Sequence, residues 1–197
     1  MPLHGTTLDT APVRVVEAPV VGAFPITYDV RPRITCRERI APPLPPGRIR
    51  VPTAGIVLFQ TFFAAPFAAR PDYAAEADGA LDLAWAMYLV HEMTHVWQWQ
   101  NRRLTGYAPW KAFVEQVTVD DPYLFDEAAG GDFLAYGYEA QASLVEEYLC
   151  CATLDPDGGR TARLHRLLLP VLPVAEPAAF PRPVIVPWAG DLERICG

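Results

Sequence analysis

Apolar residues in the middle of the chain recur at three- and four-residue steps. Leu81, Trp85, Tyr88, Leu89, Met93 and Val96 mark one face of a helix from about residue 80 to 102, closed by Gly106 and Pro109. A second helical pattern runs from about 137 to 152. A turn signal of Asp155, Pro156, Asp157, Gly158 and Gly159 separates it from a third, Thr161 to Leu169, which Pro170 stops. A shorter helix is predicted from Trp110 to Val117, followed by a loop rich in Asp and Gly. Val-rich stretches at 11–22, 26–30 and 184–186 read as short strands. Residues 49–59 mix alternation with a β-branched run broken by Pro52 and Gly55, which predicts one strand or a hairpin with Pro52 at an edge. Residues 60–69 are apolar and fit either state, and Pro71 with Asp72 marks a helix start or a turn.

Proline sharpens this outline. Of the 21 prolines, ten lie between Pro2 and Pro52 and six between Pro170 and Pro187, whereas three fall between Tyr73 and Leu169. The expected fold class is α+β: mainly α-helical, with a small N-terminal β-sheet or hairpin and Pro-rich irregular arms. The expectation is one domain over 1–197, with arms at about 1–48 and 170–197 and a catalytic core at about 49–169.

Charge narrows the partners. The net charge of -7 and pI of about 5.0 argue against nucleic acid and against an anionic membrane, both of which select positive surfaces. Arg31, Arg33, Arg37, Arg39, Arg48 and Arg50 are the local exception, expected to be solvated along a Pro-interrupted loop. No basic, apolar leader opens the chain and no apolar run is long enough to span a bilayer. The default location is the cytoplasm, with signal-independent export open. Cys36, Cys150, Cys151 and Cys196 form no C-x-x-C pair, so the expectation is four reduced thiols, with a Cys36–Cys196 bridge between the arms as one open pairing.

The chemistry centres on His91-Glu92-Met93-Thr94-His95. Two histidines four residues apart on a helix share one face, a turn apart, and can bind one metal ion. Glu92 lies beside that face, where it would serve as general base for a water that the ion activates. The chain has only four histidines, so this spacing around a glutamate is hard to ascribe to chance. A catalytic zinc takes three protein ligands and keeps a fourth position open. The third ligand cannot follow the H-E-x-x-H-x-x-G-x-x-H pattern, because Gln98 and Asn101 occupy its last two defined positions. Glu139, early in the next long helix, is the best candidate, with Glu146, Asp132 and His165 as alternatives. Glu146, two turns beyond Glu139 on the same face, and Gln98, on the side of His91 and His95, are candidates to orient the histidines. Tyr136 is a candidate oxyanion donor. The pattern predicts a zinc-dependent metallohydrolase, a peptidase acting on a peptide or protein substrate.

The run from Leu89 to Gln100 (Leu-Val-His-Glu-Met-Thr-His-Val-Trp-Gln-Trp-Gln) closely resembles bacterial proteins described as Vgr-related or Rhs-element-associated zinc metallopeptidases. The block from Phe133 to Tyr148 is similar to that family's Glu-x-Gln-Ala helix, which an aromatic-rich approach precedes. The resemblance spans roughly residues 50–150. It implies a minimal zincin-like core of the gluzincin type: a substrate-side strand within 49–59, the His91/His95 helix and the Glu139 helix. It carries ligation of one Zn2+ onto His91, His95 and Glu139, and the base role onto Glu92. The family is found near contractile-injection and type VI secretion genes. This implies, as the alternative, a non-catalytic accessory or cargo protein of a secretion apparatus. One departure matters: many gluzincins carry an aspartate four residues after the ligand glutamate, and this chain has Ser143 there.

Overall fold

The computed structural model describes residues 3–23, 25–74, 79–180, 183–190 and 192–197. The chain begins with strands β1 (Arg14–Glu17) and β2 (Pro25–Asp29), the short helix α1 (Cys36–Ile40), and strands β3 (Arg48–Pro52), β4 (Gly55–Leu58) and β5 (Thr61–Ala64). A two-residue strand β6 (Leu81–Asp82) leads into α2 (Leu83–Gln100), followed by α3 (Arg102–Thr105), α4 (Pro109–Thr118), α5 (Tyr138–Leu154), α6 (Gly159–Leu168) and β7 (Val184–Ile185). The fold is α+β, as the pattern predicts, with strands confined to small sheets.

α2 starts where Asp82, rather than Asp72, accepts a hydrogen bond from the Trp85 amide and caps the first turn. The segment ends after α3 at Gly106, whose φ of 67° supplies the left-handed turn. Every residue of α2 from Val90 to Gln98, and every residue of α5 from Glu139 to Thr153, is buried. Helices covered on all sides carry little amphipathic contrast. These two form the most extensive packing contact in the chain, and Val96, Trp97, Leu144, Val145 and Tyr148 lie in their shared core.

Residues 49–59 form neither a single strand nor one hairpin. β3 pairs antiparallel with β2, and its ladder ends at Pro52 opposite Pro25, where neither residue has an N–H to extend it. After Thr53 and Ala54, β4 turns back through Phe59 and Gln60 to pair with β5, which also pairs parallel with β1. The sheet order β1-β5-β4 leaves β4 at an edge, beside α2.

The proline-rich arms are built into the core. Leu3 and Leu8 from one, and Leu172, Val174, Phe180 and Ile195 from the other, join the same apolar cluster as α2 and α5. The cysteines correct the expectation of free thiols. Cys36 is bonded to Cys150, and Cys151 to Cys196, in place of a Cys36–Cys196 bridge. Adjacent residues on a helix point about 100° apart, so Cys150 and Cys151 reach different neighbours, and each arm is stapled to α5. Four of the arginines are also not solvated as expected. Arg31 pairs with Asp121, Arg37 with Glu146, Arg33 donates to the carbonyls of Ala41 and Arg39, and Arg39 to that of Ile195. Arg48 and Arg50, on β3, are exposed.

Trp97 is fully buried and its indole N–H donates to Thr7 Oγ1 at 3.0 Å, tying the N-terminal arm to α2. Trp97→Ala is expected to cost about 3–5 kcal/mol in urea unfolding of the metal-free protein. A loss under about 1 kcal/mol would mean the arm does not close this core.

Candidate metal centre

The burial of α2 forces the two motif histidines inward against the first turn of α5. His91 Nε2 lies 3.1 Å and His95 Nε2 3.2 Å from the same oxygen, Oε2 of Glu139. Both rings are buried, 5.0 Å apart. The three ligand atoms lie within 4.8 Å of one another. Bonds of 2.0–2.2 Å to a tetrahedral zinc would separate ligand atoms by about 3.3–3.5 Å, close to these spacings. The donor set of two imidazoles and a carboxylate, with its ligand atoms this close, suits one such ion.

Each histidine is held from behind. Glu146 Oε2 is 3.2 Å from His91 Nδ1, and Gln98 Oε1 is 2.8 Å from His95 Nδ1. A carboxylate only accepts, so His91 Nδ1–H donates to it. The Gln98 amide is oriented by its own NH2, which donates to Tyr138 O and Gln141 Oε1, both at 3.0 Å. With Nδ1 protonated in both rings, loss of the Nε2 protons would leave the Nε2 lone pairs to a metal. Ser143, at the position where many gluzincins place an aspartate, has a buried hydroxyl without a hydrogen-bond partner, and Glu146 on the next turn does the orienting. The amino end of α5 has no side-chain cap of its own. Glu115 of α4 supplies one, accepting from the amides of Tyr138 at 2.9 Å and Glu139 at 3.2 Å.

Glu92 is not one of the three converging ligands. It lines an adjoining cleft of about 370 Å³ with Tyr28, Arg31, Gly55, Tyr88, His91 and Tyr123. Gly55 is required by this closeness. A Cβ there would stand 2.7 Å from both Glu92 Oε1 and the Tyr88 hydroxyl. Tyr136 is not part of this wall. Its hydroxyl donates to the Asp126 carbonyl at 2.8 Å, which holds a loop. The phenols that line the cleft are Tyr28, Tyr88 and Tyr123, and the Tyr123 ring centroid is 5.8 Å from that of His91. Arg31 fixes its loop through two bonds to Asp121, at 2.6 and 2.7 Å. Of the alternative ligands, Glu146 orients His91, Asp132 caps a turn by accepting from Leu134 N, and His165 stacks on Tyr148. Tyr123, Arg31, Arg37, Glu115 and Tyr107, which stacks on His95, have no spacing signal in the sequence. Only the arginine cluster hinted at two of them.

Electrostatics in the metal-free protein show protons standing where a cation would. Burial pushes the His91 imidazole down, but hydrogen bonds and charges from Glu139 and Glu146 outweigh it and lift it to about 10. His95 is also raised: burial opposes, and Glu139 prevails. Burial works against the Glu139 carboxylate, yet His95 and His91 hold it well below the usual range. Glu92 is raised, chiefly by burial, against the pull of His91 and His95 and with Glu139 and Glu146 adding to it.

No known protein family, curated protein or solved structure matches the chain.

Protonated His91 stabilises the metal-free fold fully below its ordinary value of 6.5, and that contribution is lost as pH rises through about 10. Metal ligation needs the neutral imidazole. Calorimetry on chelator-treated protein is therefore expected to show a melting temperature that declines between pH 7 and 10, while the increment added by zinc grows. An increment independent of pH would contradict this centre. Gln98→Leu is expected to weaken zinc binding about 10–100-fold in chelator competition, and unchanged affinity would remove Gln98 from the site.

Proposed function

We propose that the chain is a zinc-dependent metallohydrolase, a peptidase in which His91, His95 and Glu139 hold the ion and Glu92 is the general base. The observation that carries this reading is the division of labour among buried carboxylates. Glu139 converges with the two histidines and Glu146 backs His91, while Glu92 lines the open cleft beside His91 without joining the converging ligands. A purely structural zinc site would be closed by a fourth protein ligand and would have no use for a carboxylate beside an open cavity.

When bound, zinc would polarise the scissile carbonyl and lower the pKa of water towards ~7. Glu92, raised above the ordinary carboxylate range by burial, would take the proton of the attacking water and pass it to the leaving amine. Tyr123, whose ring lines the cleft beside His91, would take the place of Tyr136 as donor to the developing oxyanion. Edge strand β4, beside α2, would pair with an extended peptide.

The two disulfides favour work outside a reducing cytosol. Among the described residues no helix is long and apolar enough to cross a membrane. The accessory reading, a non-catalytic cargo or adaptor of a secretion apparatus, draws on a different feature. Trp110, Phe113, Val114 and Val117 recur at helical spacing on α4 and are all exposed.

Glu92→Gln separates the two. It is expected to retain one zinc per chain by elemental analysis while turnover of a peptide library falls about 10²–10⁴-fold. Native protein that carries one zinc and is as inert as Glu92→Gln on every peptide would favour the accessory reading instead.

A further inference from the structure

His91 is held by Glu146, and Glu146 is in turn held by a residue from a different part of the chain. Arg37 of α1 places its guanidinium 3.2 Å from Glu146 Oε2, the same oxygen that faces His91 Nδ1. Both side chains of the ion pair are largely shielded. Without Arg37 this carboxylate would be buried with a single partner, and the ring it orients would lose its fixed direction.

α1 has five residues, too few to hold a position unaided. Its place is set by α5. Cys36 is disulfide-bonded to Cys150, and Cys150 lies four residues beyond Glu146, on the same face one turn along. The disulfide and the Arg37–Glu146 pair are therefore consecutive contacts between the same two faces. Glu147 adds a third, accepting from the amides of Cys36 at 2.8 Å and Arg37 at 3.3 Å, while Arg160 Nε holds it at 2.9 Å. The second disulfide, Cys151–Cys196, tethers the C-terminal segment and does not carry Arg37.

We propose that Arg37 is a positioning residue of the metal centre and that the Cys36–Cys150 disulfide sets its place, so that tight metal binding requires this bridge. The inference rests on the metal-site reading above, and the experiment tells the failure of each apart. Zinc affinity is measured by chelator competition on the full chain, well below the melting temperature of each variant, with folding checked by circular dichroism. Arg37→Gln is expected to weaken zinc about 10–100-fold, and Arg37→Lys, which keeps the charge, to recover part of the loss. Cys36→Ser with Cys150→Ser is expected to weaken zinc comparably, whereas Cys151→Ser with Cys196→Ser stays within about threefold of the native protein. Because the bridge acts through Arg37, adding Arg37→Gln to the Cys36/Cys150 pair should cost little more than either change alone. Native affinity in Arg37→Gln, additive losses in the combined variant, or equal losses on removing either disulfide would each overturn the proposal. So would misfolding of Cys36→Ser/Cys150→Ser while Arg37→Gln folds and binds normally. A native protein that takes up no zinc would overturn the metal-site reading and this inference together.

Discussion

Two helices buried on every side can keep ionisable groups between them only if each group finds a compensating partner. α2 brings His91, Glu92 and His95 into that interior, and α5 brings Glu139 and Glu146. Glu139, Glu146 and the two imidazoles satisfy one another in a fixed order, with Glu92 beside them on the cleft. Glu139 Oε2 sits between the two Nε2 atoms, and Glu146 stands behind His91. Once this order is imposed, much of the surrounding architecture reads as its support. Apolar packing alone would place α2 against α5, but it would not fix which way the rings face.

The support comes from outside the two helices. Glu115 caps the start of α5, where Glu139 sits, and so holds the ligand's backbone rather than its carboxylate. Gln98 and Gln141 form a short amide chain that orients His95 and ends on the Tyr136 carbonyl. Arg31 pins the loop that carries Tyr123, and Arg37 reaches Glu146 from α1. Both arginines belong to the proline-rich N-terminal arm. Of the six arginines gathered here, Arg31 and Arg37 pair with carboxylates of the chain, Arg33 and Arg39 donate to backbone carbonyls, and Arg48 and Arg50 are exposed.

The sequence made the long helices legible because their 3.6-residue periodicity and their Gly and Pro terminators are local signals. It also made His91, Glu92 and His95 legible, since their geometry follows from helix spacing alone. Glu139 could be proposed from its place early in the following helix and from the gluzincin resemblance, and Glu146 and Gln98 from helical spacing within α5 and α2. What escaped was set by tertiary contact. Tyr123 displaced Tyr136 from the cleft because a loop's path, not its composition, decides which phenol faces inward. The split of residues 49–59 between two sheets follows from Pro52 ending one ladder and Gly55 admitting Glu92, and neither partner is a sequence neighbour. The disulfide pairing was hidden for the same reason. Adjacent cysteines on α5 face different elements, and only the docking of both arms shows which partner each one meets.

The proposed zinc site lies between α2 and the start of α5. Cys36, Cys151 and Cys196 also lie close together, but their sulfurs are held in the two disulfides and offer no thiolate to a metal. Anomalous diffraction at the zinc absorption edge, on crystals of zinc-loaded protein, locates the ion. One strong peak is expected about 2.0–2.2 Å from His91 Nε2, His95 Nε2 and a Glu139 carboxylate oxygen, open on the Glu92 side. A peak among the cysteines, or a zinc between the helices closed by a fourth protein ligand, would contradict it.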